Sequence, residues 1–558
     1  MFVGIDIGGT FTDGVVISDQ EVIKLIKVPT YDDISLSIEE ALQQILAGLE
    51  PQKIEQVTLS TTLITNLIMQ DQLAKAGLLL LPGPGANPHQ LSFACAYKII
   101  NGAVDYRGRV IKPINLTEVK EACQYFLDRK INNLVVACKF SQRNPSLEEE
   151  IAAFVQKNYP ECKVLASHKV SGLLNWVRRA NGAFYTLATQ EACRTFQEKI
   201  KTTLAKLGLH CPLFILKADG GTLPLEVSLC YPLETIFSGP AASTLGALAC
   251  TEEKITAVVI DIGGTTTDLA LLLAGKPLLA ERGALINNYP VPVRSLAISS
   301  LTLGGDSSLL IEQGKLRFGP RQGPALCVGG PVLTVTDVLV YSGYSEIASP
   351  ALIKEPVEET ARVLQLTPQQ FSEQVLQMFV AQLEAKLEIM FKTWEEEPAY
   401  RIWQVLSVQK ERPQTLICLG GPASGIGKYW SEKKNWQVVV PAFSAVANAI
   451  GAALAKTTLK LDFFADTERK TYTTNLGGLQ GTLAQRLHNI EEAKEFTLQL
   501  FQEKAKDWQL VPDMPVETVY AEGFNIVRGW QTTGRIFQIG LQTVPGIKGF
   551  LKGARQDV

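Results

Sequence analysis

Apolar runs and amphipathic stretches alternate along the first part of the chain. Continuous apolar runs at residues 2–5, 77–81 and 133–138 are typical of buried strands. Elsewhere the apolar positions recur every three or four residues, the spacing of one helix face, in the segments 36–49, 65–76, 117–130 and 147–157. This alternation predicts an α/β fold.

The pattern changes further along the chain. A long helical stretch is predicted at residues 176–207, further helices at 367–391 and 441–456, and a loop-rich span at 314–331. We expect three units: residues 1–175, residues 176–456 with an insertion at about 283–345, and an appended α/β segment at 457–558 for which the sequence suggests no chemistry.

Eight residues occur almost twice. Residues 6–13 read Asp-Ile-Gly-Gly-Thr-Phe-Thr-Asp, and residues 261–268 differ from them at one position, where Thr266 replaces the phenylalanine. An apolar run precedes and follows each copy, which predicts a strand, a Gly-Gly turn and a second strand. Neither copy has the spacing of a P-loop or of a dinucleotide-binding loop, and neither leads into a helix.

Such a hairpin suits a phosphate group. Paired glycines permit a tight turn whose N–H groups point into one concavity, and the threonine hydroxyls add donors. A carboxylate repels phosphate, so the aspartates would hold Mg²⁺ or orient a nucleophile. Two facing hairpins would clamp the phosphates of a nucleotide; the alternative is a pair of ordinary glycine turns.

Composition narrows the possible functions. The chain is 46% hydrophobic and 20% charged, with a net charge of −3, which gives no argument for nucleic acid or an anionic membrane as partner. No apolar stretch is long enough for a membrane span, and we expect a cytoplasmic protein. The ten cysteines form no C-x-x-C pair and are expected to be reduced and mostly buried, and the four histidines lack metal-ligand spacing.

The order of the motifs resembles the superfamily of acetate and sugar kinases, heat-shock-70 proteins and actin. Within it the chain is most similar to the hydantoinase A and 5-oxoprolinase family, whose segments are matched at residues 60–66, 140–145, 167–168, 218–221, 234–242, 261–268, 318–321 and 334–337. The resemblance implies two ribonuclease-H-like, actin-like ATPase domains around a nucleotide cleft, with ATP and Mg²⁺. It also implies a small cyclic amide or carbonyl substrate, and it is compatible with a hydantoinase B-like partner subunit and with a homo-oligomer.

The resemblance also assigns roles to residues. Asp6 is the Mg²⁺-associated acid, Asp261 is the base or orienter of the attacking oxygen, and Asp13 and Asp268 either support them or cap the turns. The paired glycines Gly420 and Gly421 would lie against adenine or ribose. The first phosphate clamp comprises Gly8, Gly9, Thr10 and Thr12, and the second comprises Gly263, Gly264, Thr265, Thr266 and Thr267. Substrate-side positions are Thr61, Thr62, Asn66 and His168, although a lone histidine is more often structural.

One segment departs from the family pattern. Where the family has Asp-x-His-Thr and a glycine triplet, residues 297–300 read Ala-Ile-Ser-Ser and residues 304–306 read Gly-Gly-Asp. We expect this segment to lie beyond the reach of the hairpins and to decide the substrate. The leading hypothesis is ATP-dependent hydrolysis of a cyclic amide; the alternatives are an ATPase switch or assembly subunit, a ketone carboxylase subunit and a small-molecule kinase.

Overall fold

The computed structural model describes residues 1–31, 33–280, 283–396, 411–433, 436–476, 480–508 and 515–554. Its first twelve strands are β1 (Phe2–Ile7), β2 (Phe11–Ser18), β3 (Glu21–Pro29), β4 (Gln56–Thr61), β5 (Ala76–Leu81), β6 (Tyr97–Ile99), β7 (Ala103–Val104), β8 (Val110–Lys112), β9 (Asn133–Cys138), β10 (Lys163–Ala166), β11 (Leu213–Leu216) and β12 (Thr222–Pro224). The helices of this part are α1 (Ile34–Leu46), α2 (Leu63–Met69), α3 (Leu116–Leu127), α4 (Ser146–Asn158), α5 (Trp176–Lys206), α6 (Leu225–Ser228) and α7 (Ser238–Ala249).

These strands form two main sheets. The first has the order β12-β11-β4-β1-β2-β3, in which β1, β2 and β3 are antiparallel neighbours while β4 and β11 continue parallel to β1. The second is the parallel sheet β10-β9-β5-β6. Both are covered by helices, as buried strands with continuous apolar runs require.

The middle of the chain builds a third sheet. The strands of this part of the chain are β13 (Ala257–Ile262), β14 (Thr267–Leu273), β15 (Lys276–Pro277), β16 (Leu285–Ile286), β17 (Tyr289–Pro290), β18 (Ser299–Leu301), β19 (Ser307–Glu312), β20 (Lys315–Arg321), β21 (Thr415–Leu419) and β22 (Gln437–Val439). Of these, β16–β17 and β19–β20 form two separate two-stranded sheets. The helices are α8 (Val335–Tyr341), α9 (Lys354–Val363), α10 (Pro368–Glu395), α11 (Ala423–Lys433) and α12 (Ala447–Leu454). The sheet order is β15-β14-β13-β21-β22, and β18 also pairs with β14.

The first and third sheets repeat one topology. In each, a hairpin supplies two antiparallel strands, a third strand follows at the edge, and two later strands lie parallel on the other side. The predicted α/β fold, with two sheets built in the same way around a glycine hairpin, is thereby confirmed. β11 and β12 belong to the first sheet although they follow residue 175, and the division of the chain into three units stays a prediction.

Two short helices hold the first and third sheets together. A Cβ at Gly246 of α7 would lie 2.0 Å from the Ala447 carbonyl oxygen, and one at Gly451 of α12 would lie 1.9 Å from that of Ala242. A Cβ at Gly4 of β1 would lie 2.0 Å from the Ala449 carbonyl oxygen. These glycines are required because the two helix backbones and the β1 backbone touch without side chains between them.

The last part of the chain forms an antiparallel sheet covered by one helix. The strands β23 (Lys460–Asp466), β24 (Thr471–Thr474), β25 (Gln480–Thr482), β26 (Val516–Arg528) and β27 (Gln531–Thr543) have the order β25-β24-β23-β27-β26. Helix α13 (Ile490–Asp507) packs on this sheet through a separate apolar core.

Three predicted elements differ in the structure. The helix predicted at residues 65–76 ends at Met69, because Asp71 adopts a left-handed φ of 54° and the chain turns toward β5. The predicted loop at 314–331 begins as the hairpin β19–β20, whose two-residue turn has positive φ at Gln313 and Gly314. The helix predicted at 441–456 is shortened to α12, with a 3₁₀ turn before it.

All ten cysteines are free and seven are buried, which confirms the expectation of unpaired thiols. Across the described ranges, no helix has both the length and the apolar character that crossing a bilayer demands.

Candidate functional site

The first glycine hairpin joins β1 to β2. Asp6 and Asp13 face each other across the strand pair, and the Gly8 N–H donates to the Phe11 carbonyl oxygen at 3.0 Å to close the turn. Gly9 at the tip is exposed, and a Cβ there would meet nothing within 4 Å. The turn therefore presents its backbone to open space.

The second hairpin joins β13 to β14 in the same register. Asp261 faces Asp268, and the Gly263 N–H donates to the Thr266 carbonyl oxygen at 2.9 Å. The eight repeated residues thus build the same local structure twice.

Asn448 links the two hairpins. It lies at the start of α12, donates from Nδ2 to Asp261 Oδ2 at 3.3 Å, and also hydrogen-bonds the Asp6 carboxyl group. Asp261 is close enough to Asp6 that repulsion between them contributes to the raised pKa of Asp6. The repeated motifs therefore meet at one pair of carboxyl groups.

Burial dominates the ionisation of these acids. Desolvation raises the pKa of Asp6 to about 7, with repulsion from Asp13 and Asp261 adding to it against hydrogen bonds from Ser60 and Asn448. Desolvation also raises the pKa of Asp261, which hydrogen bonds from Asn448 and Ser243 oppose. Such a cluster of carboxyl groups in a desolvated site favours a bound cation, which would stabilise the ionised forms.

The outer acids of the hairpins have different partners. Burial raises the pKa of Asp13, but Lys27 Nζ lies 2.7 Å from its Oδ1 and opposes the rise. Burial raises the pKa of Asp268 to about 6, and the Ser300 hydroxyl donates to its carboxylate. These contacts are made across neighbouring strands, whereas the cap interpretation placed them in the turn.

The segment that departs from the family pattern lies against the second hairpin. Ser300 of β18 pairs with Asp268 of β14, and the Gly305 and Asp306 N–H groups each donate at 2.9 Å to the carbonyl oxygens of Gly263 and Gly264. The expectation that this segment lies beyond the hairpins was wrong. The short strand β18 and the turn after it bring these residues back to the hairpin, across 32 to 42 positions of sequence.

The repeated threonines divide into two groups. Thr12 and Thr267 are fully buried: Thr12 Oγ1 is 3.0 Å from Thr30 Oγ1, and Thr267 Oγ1 donates to the Leu303 carbonyl oxygen at 2.7 Å. These two hydroxyls are therefore occupied within the protein. The turn threonines Thr10, Thr265 and Thr266 are partly or fully exposed.

Gly420 and Gly421 follow β21, directly beside the second hairpin. Gly420 has φ of 94°, and a Cβ there would lie 2.2 Å from the Ile262 carbonyl oxygen and 3.0 Å from Asp261 Oδ1. Gly421 has nothing within 4 Å of its Cβ position. The glycine pair thus passes next to Asp261 and leaves open space beyond it.

Three of the four predicted substrate-side residues lie near the first hairpin. The Thr62 hydroxyl donates to the Ile7 carbonyl oxygen at 3.4 Å, and Asn66 Nδ2 donates to Thr62 Oγ1 at 3.3 Å. Thr61 is buried, and its backbone N–H and carbonyl are both bonded to the Ser238 hydroxyl. His168 lies elsewhere, after β10 of the second sheet, with Nδ1 2.7 Å from Glu148 Oε2.

Among the described residues, no three His, Cys, Asp or Glu side chains are close enough to hold a metal ion by themselves. A cation beside Asp6 would therefore need phosphate oxygens and water to complete its ligands, which is how proteins usually hold Mg²⁺.

Sequence reasoning missed Asn448 and Lys27 as site residues. The only signal for Asn448 is a polar side chain at the start of an Ala- and Gly-rich helix. Lys27 stands in a strand of alternating polar and apolar residues, where it looks like an ordinary exposed lysine.

The comparisons with known proteins agree with the motifs. The hydantoinase/oxoprolinase model matches residues 179–460, which is half of the chain, and the model of its N-terminal region matches residues 2–159. Caprolactamase subunit alpha of Pseudomonas jessenii is 25% identical over 378 residues, covering 61% of this chain and 54% of that protein. The acetophenone carboxylase gamma subunit of Aromatoleum aromaticum is 27% identical over 403 residues, covering 61% and 53%.

The fold is also shared. The crystal structure of the ATP-dependent caprolactamase from Pseudomonas jessenii superposes with a TM-score of 0.71 at 18% identity, covering 97% of this chain and 87% of that one. The chain spans about half the length of the curated relatives it matches. On these matches, the chain belongs to the hydantoinase/oxoprolinase family.

Proposed function

We propose that the chain is the ATP-using component of an enzyme that hydrolyses a small cyclic amide. One observation carries the proposal: two copies of a glycine hairpin bring together two acids, the buried Asp6 and the partly buried Asp261, which Asn448 joins. The family membership supports the same conclusion.

The residues fit a nucleotide. Turn N–H groups beside Gly9 and Gly264, with the accessible hydroxyls of Thr10, Thr265 and Thr266, would hold phosphate oxygens. Gly420 and Gly421 would lie against the base or ribose, because the backbone turns closely past the second hairpin at Gly420 and leaves open space at Gly421. Asp6 would hold Mg²⁺ through oxygen and water ligands. ATP supplies the phosphoryl group that converts an amide oxygen into a leaving group.

Asp261 is assigned to the attacking oxygen. Burial raises the pKa of Asp261, which makes its carboxylate a stronger base than an ordinary aspartate, and its hydrogen bond from Asn448 fixes the carboxylate orientation. The remaining contribution of the chain is positioning and charge neutralisation, which dominate phosphoryl transfer.

Thr62 and Asn66 are assigned to the substrate side, because they adjoin the first hairpin through the Ile7 carbonyl. A partner subunit of the hydantoinase B type is proposed as well, since the relatives are named as subunits and this chain spans about half their length. Free thiols throughout fit a reducing compartment, and we propose the cytoplasm.

The test is an ATP-hydrolysis assay with a panel of cyclic amides, ketones with bicarbonate, and carboxylates, with and without a co-encoded partner. The expected result is ATP use that rises with a cyclic amide and yields ring-opened product and phosphate. An accumulating phosphorylated product would instead identify a kinase. Slow ATP hydrolysis that responds to a protein partner alone would identify a switch.

Ketone carboxylation is a second candidate, favoured by the similarity to the acetophenone carboxylase subunit. If the enzyme is a ketone carboxylase, the same assay should show incorporation of labelled bicarbonate into a ketone, and lactams should not raise the rate of ATP hydrolysis.

A further inference from the structure

An ion pair lies against the tip of the second hairpin. Arg321, at the end of β20, donates from Nε to Asp306 Oδ2 at 3.1 Å. A Cβ at Gly264, the tip glycine, would lie 2.5 Å from Asp306 Oδ2 and 3.7 Å from Arg321 Nε. The guanidinium group therefore stands directly beside the turn that is assigned to phosphate.

The backbone of residues 304–306 fixes Asp306 in this place. Two N–H groups of the segment donate at 2.9 Å to carbonyl oxygens of the second hairpin. On the other side, a Cβ at Gly305 would lie 2.3 Å from Pro422 Cγ. Pro422 directly follows the glycine pair 420–421, which is assigned to the base or ribose. The segment that carries Asp306 is therefore in contact with both parts of the proposed nucleotide site.

A β-bulge sets the position of Arg321. In the hairpin β19–β20, Ser307 pairs with Arg321, and the next pair joins Ser308 to Gly319. Pro320 is therefore the extra residue, and its carbonyl oxygen accepts from the Ser308 hydroxyl at 2.9 Å. Without the extra residue Pro320 would stand opposite Ser307, and Arg321 would lie beyond it. The bulge thus brings Arg321 level with the residue that follows Asp306.

The guanidinium group keeps donors for a ligand. Within the described ranges Asp306 is the one ion-pair partner of Arg321, and it engages Nε. The Nη groups form no hydrogen bond to a described residue, and the side chain is 25% exposed. A guanidinium fork matches a phosphate group through two parallel N–H···O bonds. Arg321 is therefore held at one nitrogen and open at the two that suit phosphate.

The second hairpin needs a positive charge. Each hairpin carries two aspartates, and ATP adds several negative charges. At the first hairpin Lys27 compensates for Asp13, whereas the equivalent Asp268 has the neutral Ser300 as its partner. Arg321 supplies to the second hairpin the cation that Lys27 supplies to the first. Neutralising the charge on the phosphates is a main requirement of phosphoryl transfer.

We propose that Arg321 binds the phosphate groups of the nucleotide at the second hairpin. Asp306 is a positioning residue, which holds the guanidinium group through Nε so that the Nη groups meet the phosphate oxygens. Asp306 stands where the family has the last glycine of its triplet, so the pair departs from the family pattern. The proposal rests on the proposed function only in taking ATP as the ligand, whichever compound the enzyme acts on.

The test is titration calorimetry of the full chain with a non-hydrolysable ATP analogue and Mg²⁺. Arg321→Met should weaken binding about ten- to hundredfold, because charge-assisted hydrogen bonds to phosphate are lost. Arg321→Lys should recover part of this loss, since lysine keeps the charge without the fork. Adenosine has no phosphate, and its affinity should be the same in all three proteins.

Arg317→Met is the matched control. Arg317 lies on the same strand as Arg321 and also pairs with an acid, Glu312, at 3.4 Å, but it stands toward the turn of the β19–β20 hairpin, away from residues 304–306. Its loss should leave the affinity for the analogue unchanged. Melting temperatures without nucleotide show whether the variants are folded, and Arg321→Lys decides the matter if Arg321→Met is not.

Asp306→Asn tests the positioning role. This variant should bind the analogue more weakly than the wild type and should add no further loss when combined with Arg321→Met. If Asp306 acted only by repelling phosphate, removal of its charge would strengthen binding. Stronger binding, or an additive loss in the double variant, would therefore contradict the role of Asp306.

The remaining outcomes separate this proposal from the proposed function. Wild-type affinity in Arg321→Met, an equal loss in Arg317→Met, an equal loss of adenosine affinity, or no binding of the analogue to the wild type would overturn it. Binding of the analogue through Arg321 without turnover of any cyclic amide would support it and contradict the proposed function. ATP hydrolysis that a cyclic amide stimulates equally in the wild type and in Arg321→Met would do the opposite.

Discussion

The two glycine hairpins share seven of eight residues and one register, yet their surroundings differ. The tip of the first is open at Gly9, while a Cβ at the equivalent Gly264 would lie 2.5 Å from Asp306 Oδ2. The outer acid of the first is paired with a lysine and that of the second with a serine. Identical local sequence thus fixes the turn, and the neighbouring strands decide what each acid can do.

The largest effect is expected at Asp261. Asp261→Asn should keep nucleotide binding, because the turn N–H groups are unchanged, but should lower substrate-stimulated ATP turnover by about 10²–10⁴-fold. Turnover assays paired with nucleotide titration would measure both. Wild-type turnover in this variant would remove Asp261 from the reaction and leave the two inner acids without distinct roles.

Asp6 should make stability depend on pH. Its pKa is raised to about 7 in the folded protein, so the folded state holds the extra proton between about pH 4 and pH 7, and stability falls as the pH rises through that window. Asp6→Asn should flatten this dependence and be the more stable form at pH 8. Thermal unfolding at pH 5 and pH 8 would show this.

Magnesium provides the companion measurement. At pH 8 we expect Mg²⁺ with a non-hydrolysable ATP analogue to raise the melting temperature of the wild type more than that of Asp6→Asn. An equal rise in both proteins would assign the ion to other ligands.

Alanine substitutions at Gly9 and Gly264 compare the open tip of the first hairpin with the tip of the second hairpin, which is covered by Asp306. Gly264→Ala should destabilise the protein by about 1–3 kcal/mol, since Asp306 must move. Gly9→Ala should change stability by less than about 0.5 kcal/mol. Urea unfolding of both variants would measure the change in the free energy of unfolding. Equal changes in the two variants would show that the contact with residues 304–306 does not affect stability.

The smallest effects are expected at the outer acids. Lys27→Met and Ser300→Ala should each lower the free energy of unfolding by up to about 1 kcal/mol. Only the loss in Lys27→Met should shrink in high salt, because salt screens a partly exposed ion pair. Urea unfolding of the two variants at low and at high salt would distinguish the two stability losses. A salt dependence of the Ser300→Ala loss would contradict the assignment.

The sequence predicted the hairpins well because their structure depends on adjacent residues. It could not predict Asn448 as the link between them, since that contact joins positions far apart in the chain. Residues 297–300 stood out only as a departure from the family pattern, yet Ser300 supplies a partner for Asp268 once β18 pairs with β14. The C-terminal segment suggested no chemistry in the sequence, because the cavities beside its sheet are completed by residues 142 and 168–175, which are far away in the chain.

The glycine contacts of α7 and α12 determine the distance between the first and third sheets. Backbone touches backbone at Gly246, Gly451 and Gly4, so the spacing between the two sheets is fixed by atomic radii and not by adjustable side-chain rotamers. Helix α12, which contains Gly451, also carries Asn448. Helix α12 therefore sets the distance between the two hairpins. A single added methyl group at one of these glycines would widen the gap between the hairpins, and the proposed triphosphate site would no longer match its ligand.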